Sequence, residues 1–361
     1  MLNIFIRVDA SYQIGSGHVA RCLTLAGNLS NFNDIKIRFI CRDLKGNLIK
    51  EIKKKYDVLV LRSKKNNSLK GYRSWLTVTQ KVDAEMTLDK IKKYDVHCVI
   101  VDSYSIDYKW EEKIKSKSRK IVVIDDLANR KHSCDILIDN NYYLNFLNRY
   151  NKLVSSKTKK FLGPKYVLYR EEFKNKIINK KKSKKQNSVT IFIGGHKPDK
   201  NINFIIDLLN NITNTKYSIS LILGPSTNSI KKIKDKYKIN KNIKIFVNTK
   251  NIARIIALSD FCIVSGGTIV SETMLLSKPT IVIVVAKNQV QIAQDLNKRG
   301  FIIYILDEDL KQNDFLLEKL NELHKRYYLL KKRLINYAKN YSNQNNYKLI
   351  NEILNETRNR S

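Results

Sequence analysis

The chain has 361 residues, room for about two domains, and its 43% hydrophobic content excludes general disorder. Its 68 Lys and Arg against 33 Asp and Glu leave a formal charge of +35, which on its face suggests a nucleic acid or an anionic membrane surface. The basic residues are scattered through a chain rich in Lys, Asn and Ile from end to end, so they read as background composition, and no specific nucleic acid and no membrane is expected as partner.

Short apolar runs alternate with amphipathic stretches along the whole chain. Leu2 to Val8 predicts a buried strand, followed by a Gly-containing loop and a helix from His18 to Leu29. Ile35 to Ile40, Asp57 to Leu61, His97 to Val101 and Lys120 to Ile124 predict further strands, with helical pattern between the later ones. A Lys-rich polar stretch at 176–188 reads as a linker. The alternation then restarts with strands over Val189 to Ile193, Ser218 to Leu223, Ile243 to Val247, Phe261 to Val264, Thr280 to Val285 and Phe301 to Leu306. Helices are expected over Thr268 to Leu276 and Gln289 to Arg299, and a helical segment over 309–361 carries Leu316, Leu317, Leu320 and Leu323 at helical spacing. The expected class is therefore α/β, with two doubly wound, Rossmann-like parallel-sheet domains at 1–175 and 189–308. Ligands of such sheets bind at the carboxyl ends of the strands, which makes a cleft between the domains the expected site.

The five cysteines (Cys22, Cys41, Cys98, Cys134, Cys262) show no CxxC spacing, so neither a disulfide framework nor a zinc site is indicated and a reducing cytoplasm fits. The amino terminus lacks the basic region and cleavage site of a signal peptide, and the longest apolar runs are too short to span a bilayer.

Three loops carry candidate chemistry. Val8 to His18 leaves the first strand and opens the first helix, with Gly15 and Gly17 allowing a close approach of backbone to ligand. His18, at the helix start, reads either as a capping or packing residue or as a general base. Ser265-Gly266-Gly267-Thr268 again joins a strand to a helix and suits a diphosphate. Thr268 and Glu272 share a helix face, so Glu272 reads either as a surface residue or as an acceptor for ribose hydroxyls. Asn288 and Gln289, at the end of the next strand, read as sugar contacts or as caps. The Asp307-Glu308-Asp309 triplet reads as an acidic helix start and not as a metal site.

Taken together, these segments resemble a known family. Arg7-x-Asp9-x-Ser11-x-x-Ile14-Gly15-x-Gly17-His18-x-x-Arg21 resembles the opening of the UDP-sugar hydrolases of pseudaminic acid biosynthesis. Val101-Asp102-Ser103-Tyr104, Ile124-Asp125-Asp126-Leu127-Ala128, Cys134-Asp135-Ile136-Leu137 and the run from Leu162 to Phe173 match in order, as do Gly194-Gly195, Gly266-Gly267 with Glu272, and Lys287-Asn288-Gln289. The resemblance covers about residues 1–305 and implies a GT-B-like fold, similar to the inverting glycosyltransferase that makes lipid II. It implies hydrolysis of UDP-2,4-diacetamido-2,4,6-trideoxy-β-L-altropyranose to UDP and free sugar, with inversion at the anomeric carbon. By the same resemblance His18 is the base that activates water, while Gly17, Tyr104, Arg170, Gly195, Gly266, Gly267, Thr268, Glu272, Asn288 and Gln289 contact the substrate. No metal or other cofactor is implied, and the expected state is a monomer or weak oligomer whose partner is the small-molecule UDP-sugar. Two departures stand out: His196 and Lys197 follow Gly195 where family members usually carry Ser or Thr and then Asp, and Ser271 precedes Glu272 where bulkier or amide residues are usual. The alternative within the same fold is an inverting GT-B glycosyltransferase that uses a UDP-N-acetylated sugar.

Overall fold

A computed structural model describes residues 1–64, 68–174, 188–193, 217–224, 230–311, 315–342 and 346–358. The chain divides into two compact units, Met1–Leu168 with Gln344–Ser361, and Tyr169–Asn343. The division falls at residue 168, so Tyr169, Arg170 and the short helix Glu171–Lys174 belong to the second unit. The helical segment expected over 309–361 is shared between the two. Residues 176–187 of the expected linker lie outside the described residues.

The first unit is built on seven parallel strands: β1 (Leu2–Val8), β2 (Ile35–Arg42), β3 (Asp57–Leu61), β4 (Cys98–Asp102), β5 (Ile121–Ile124), β6 (Ile136–Asp139) and β7 (Lys159–Leu162), in the order β3-β2-β1-β4-β5-β6-β7. The period-2 alternation of strands divides β1 between two cores. Ile4, Ile6 and Val8 pack with Val19, Cys22, Leu25 and Leu29 of α1 (Gly17–Leu29), whereas Phe5 packs on the opposite face with Trp110 and Ile114 of α4 (Tyr108–Lys115). The strand reversal on either side of β1 puts the β1 and β4 ends side by side, with Val8 opposite Asp102. The chain's last described helix (Asn346–Arg358) returns to this unit, burying Leu349, Ile350, Ile353 and Leu354 against the β1 face. Lys120, almost fully buried, donates to the carbonyls of Glu352 (2.7 Å) and Ile353 (3.2 Å) in that helix.

The second unit has six parallel strands: β8 (Ser188–Phe192), β9 (Ser218–Leu223), β10 (Ile243–Val247), β11 (Phe261–Ser265), β12 (Thr280–Val284) and β13 (Ile303–Leu306), ordered β10-β9-β8-β11-β12-β13. This is the doubly wound order with its reversal at β8 and β11. The 27-residue helix Phe315–Tyr341 covers one face, and Leu316, Leu320, Leu323, Tyr327 and Leu330 repeat at intervals of three and four to form a continuous buried stripe. Leu317, expected in that stripe, lies beside it and is half-buried.

Strands β6 and β7 go beyond the sequence reading. Each has four residues, and the segment between them carries no periodic pattern. All five cysteines are buried and unbridged. Among the described residues no helix is long and apolar enough to cross a membrane.

Candidate functional site

The first unit presents His18 on a tightly hydrogen-bonded support. Beyond β1 the chain closes a compact loop in which Ser11 Oγ accepts from the backbone N–H groups of Gln13 (3.2 Å) and Ile14 (3.0 Å). Gly15 donates back to the Ser11 carbonyl at 2.8 Å with φ +81°, a conformation that glycine adopts without strain. Helix α1 then begins at Gly17 with no side-chain cap and no acidic residue in its first turn. Its N–H groups and positive dipole end are therefore directed at whatever approaches.

His18 is the second residue of that helix and is 8% exposed. Its Nδ1 lies 2.5 Å from Oδ1 of Asp102 at the end of β4. An ionised carboxylate only accepts, so Nδ1 carries a proton toward Asp102 and Nε2 is the ring nitrogen turned away from it. Arg21, one turn along the same face, donates to both oxygens of Asp102 (Nε to Oδ2 2.5 Å, Nη2 to Oδ1 2.6 Å) and reaches Asp126 Oδ2 at 2.8 Å. Burial alone would push Asp102 up, but the Arg21 guanidinium and His18 outweigh it and hold the carboxyl well below its usual range. Cys22 also approaches Asp102, at 3.5 Å, and burial and that carboxylate push its thiol well up. Tyr104 packs edge-on against the His18 ring with centroids 4.5 Å apart. Gly17 has nothing within 4 Å of where a Cβ would stand, so a side chain there would occupy the open space beside His18.

The depressed Asp102 carboxyl has a consequence for pH. Its folded value lies below the unfolded value of about 3.9, so its stabilisation is complete above that value and is lost as pH falls toward the folded one. The difference in unfolding free energy between the native protein and Asp102→Asn should stay constant above about pH 5 and shrink below about pH 4, as read from urea titrations across that range.

The second unit carries the other glycine loop that the sequence singles out. Between β11 and the helix Thr268–Leu275 lie Gly266 and Gly267, the latter at φ +139°, where other residues are strained. This helix start also lacks a side-chain cap and an acidic first turn, and Gly267 and Thr268 are exposed there. Gln289 has a task that the sequence did not reveal. Its Oε1 accepts from Val285 N–H (3.0 Å) and its Nε2 donates to the Gly266 carbonyl (2.9 Å), so its amide clamps the glycine loop. A Cβ on Gly266 would stand 2.5 Å from that Oε1, so a side chain there would displace the clamp. Asn288 is half-buried in the same turn, Lys287–Gln289.

Glu272 is buried one turn into the helix and accepts a two-pronged pair from Arg170, Nε at 2.7 Å and Nη2 at 2.6 Å. Burial pushes the Glu272 carboxyl up while the guanidinium pulls it down. Arg170 also approaches Glu172 at 3.3 Å, and Glu172 accepts from Ala253 N–H at 3.0 Å. Two residues that the sequence reading treated separately thus form one unit. Gly195, with Gly194, His196 and Lys197, lies outside the described residues. The Asp307-Glu308-Asp309 triplet follows β13 and leads into a short turn at Asp309–Lys311. Among the described residues no three His, Cys, Asp or Glu side chains are grouped so as to hold a metal ion.

Sequence reasoning missed the roles of Asp102, Arg21 and Asp126. Arg21 was recognisable by its helical spacing from His18, and Asp102 by its place at a strand end. Only the pairing of β1 with β4 brings the two together.

Residues 188–353 match the glycosyltransferase family 28 C-terminal domain. The chain is 31% identical over 301 residues to the UDP-2,4-diacetamido-2,4,6-trideoxy-β-L-altropyranose hydrolase of Campylobacter jejuni, covering 83% of this chain and 98% of that protein. It is 25% identical over 333 residues to an uncharacterized protein of Methanocaldococcus jannaschii, covering 90% of this chain and 63% of that one. Among solved structures, the glycosyltransferase of kitacinnamycin aligns with TM-score 0.69 at 13% identity over 98% of both chains. The calicheamicin glycosyltransferase CalG4 aligns at 0.67 with 11% identity over 99% of this chain and 98% of that one. MurG of Acinetobacter baumannii aligns at 0.62 with 11% identity over 98% of this chain and all of that one. These likenesses establish a GT-B-like α/β fold.

Proposed function

This chain belongs to the family of UDP-2,4-diacetamido-2,4,6-trideoxy-β-L-altropyranose hydrolases, and from that premise we propose that it hydrolyses this nucleotide sugar to UDP and free sugar in pseudaminic acid biosynthesis. The observation that carries the reading is the Asp102–His18 pair, which engages Nδ1 and leaves Nε2 for substrate beside an uncapped helix start. His18 Nε2 takes a proton from water as the water oxygen bonds to the anomeric carbon. The C1–O bond breaks, its electron pair passes to the departing diphosphate, and the new hydroxyl stands on the opposite face. The proton remains on His18, where Asp102 stabilises the imidazolium.

UDP is a good leaving group, so the chain must chiefly supply a placed water, a base and donors for charge growing on the diphosphate. The donors proposed are the N–H groups at Gly267 and Thr268, with the Thr268 hydroxyl. Glu272 receives the ribose hydroxyls, its carboxylate held in place by Arg170, and Asn288 and Tyr104 contact the substrate. Gln289 acts by fixing the loop. A cytoplasmic enzyme with this one small-molecule partner fits the reading.

The family 28 match and the glycosyltransferase neighbours favour a second reading, transfer of the sugar to a hydroxyl acceptor. Incubation with the altropyranose substrate in the absence of any acceptor, followed by NMR, separates the two. Stoichiometric UDP and free sugar, with the inverted anomer appearing first, is the expected result. UDP release that requires an added acceptor would replace hydrolysis with transfer.

A further inference from the structure

Beside His18, Tyr72 and Trp75 join Tyr104 in an aromatic group. Tyr72 and Trp75 sit on the short turn Gly71–Leu76, between β3 and the helix Gln80–Ile91. Leu76 anchors that turn in the core, and Ser105 Oγ donates to the Tyr72 carbonyl at 2.5 Å, tying the turn to the residue after Tyr104. The Trp75 ring stands 6.3 Å from His18 and 5.6 Å from Tyr104, and Tyr72 contacts Trp75 at 4.9 Å and Tyr104 at 5.1 Å between centroids. Tyr104 is buried, whereas Tyr72 and Trp75 are half-buried. The rings of Tyr72, Trp75 and Tyr104 therefore stand together beside the imidazole and present largely aromatic carbon.

We propose that Tyr72 and Trp75 form the apolar part of the sugar subsite and select a sugar that carries methyl groups where common sugars carry hydroxyls. The inference rests on the hydrolase reading and adds specificity-determining residues to it. A diacetamido-trideoxy sugar offers three methyl groups, one at C6 and two on its acetamido arms. Ring faces gain by covering such groups, while a hydroxyl pressed against them loses its water without a full replacement hydrogen bond. Placing those rings beside His18 holds the anomeric carbon near Nε2 through the part of the sugar that does not react.

The test compares the native protein with Trp75→Ala, Trp75→Phe and Tyr72→Ala. Trp75→Ala should raise KM for the altropyranose substrate roughly tenfold, the scale of a lost apolar contact, while the Ki of UDP as competitive inhibitor stays unchanged. Tyr72→Ala should act in the same direction, and Trp75→Phe should restore most of the affinity. A KM and a UDP Ki that rise together, or a KM that does not move, overturns the proposal. A second readout does not depend on turnover. Trp110, the other of the chain's two tryptophans, is fully buried, so ligand-dependent emission reports Trp75. In His18→Ala protein, which holds substrate intact, emission should change with the UDP-sugar and not with UDP alone, and should stop responding when Trp75→Phe is added. Equal responses to UDP and UDP-sugar count against the subsite. A native protein that releases no UDP sinks the hydrolase reading, whereas a sugar-dependent emission change still upholds the aromatic subsite.

Discussion

His18→Ala should lower kcat for UDP release by about two to four orders of magnitude while leaving KM within about twofold of the native value. The imidazole is asked to take a proton from water in the transition state, a task that does not contribute to holding the ground-state substrate. Asp102→Asn should approach the same loss by another route. The carboxylate accepts from Nδ1 at 2.5 Å and so keeps the lone pair on Nε2. An amide in its place can donate to Nδ1 instead, which leaves the proton on Nε2 and removes the base. Arg21 then loses its principal charged partner, so the variant's unfolding midpoint should be measured beside its kinetics. A His18→Ala protein that releases UDP at the native rate would exclude this residue as the base.

Asp83→Ala should destabilise the first unit by about 3–5 kcal/mol, the scale found when one partner of a buried ion pair is removed. Asp83 is fully buried and accepts from Arg7 (Nε 3.2 Å, Nη2 2.8 Å), Arg42 Nη2 (2.5 Å) and Trp110 Nε1 (2.9 Å). Burial alone would raise its carboxyl, but the two guanidinium groups hold it below the usual range. Without it, two arginines remain in the core, of which Arg7 keeps Asp9 at 2.6 Å. Asp9 in turn accepts from the Arg42 backbone N–H at 2.6 Å, at the point where β1 passes into the His18 loop. The loss of stability should therefore be accompanied by a lower kcat in the fraction that stays folded. Both tryptophans lie in this unit, so their fluorescence in a urea titration reports its unfolding alone. Asp89, in an exposed pair with Lys92, provides the comparison, and Asp89→Ala should leave the midpoint unmoved. An unchanged midpoint in Asp83→Ala would mean that the core arginines find other partners.

Much of this was legible in the chain because local physics decides it. The apolar run Leu2 to Val8 became β1 over the same residues, and the Phe315–Tyr341 stripe followed directly from helical spacing. Glycines before helix starts were legible for the same reason, since Gly15 and Gly267 take backbone conformations that other residues resist. The four-residue strands β6 and β7 were not, because runs so short have no periodicity of their own and are held by their neighbours in the sheet. Nor was the clamp from Gln289 to Gly266, since it depends on the distance between two loops 23 residues apart.

By itself, then, the amino-acid sequence determined the α/β class, the alternation of strands and helices, the positions of the glycine loops and the family to which the chain resembles its relatives. Those properties follow from hydrophobic period and local backbone conformation, which act over a few residues. Only the tertiary structure decided that His18 meets Asp102 across 84 residues, that Arg170 meets Glu272 across 102, and that Arg7 and Asp9 belong to a buried charge network. Most of these pairings join polar side chains far apart in the chain, and a charge buried without such a partner would not be tolerated in the core.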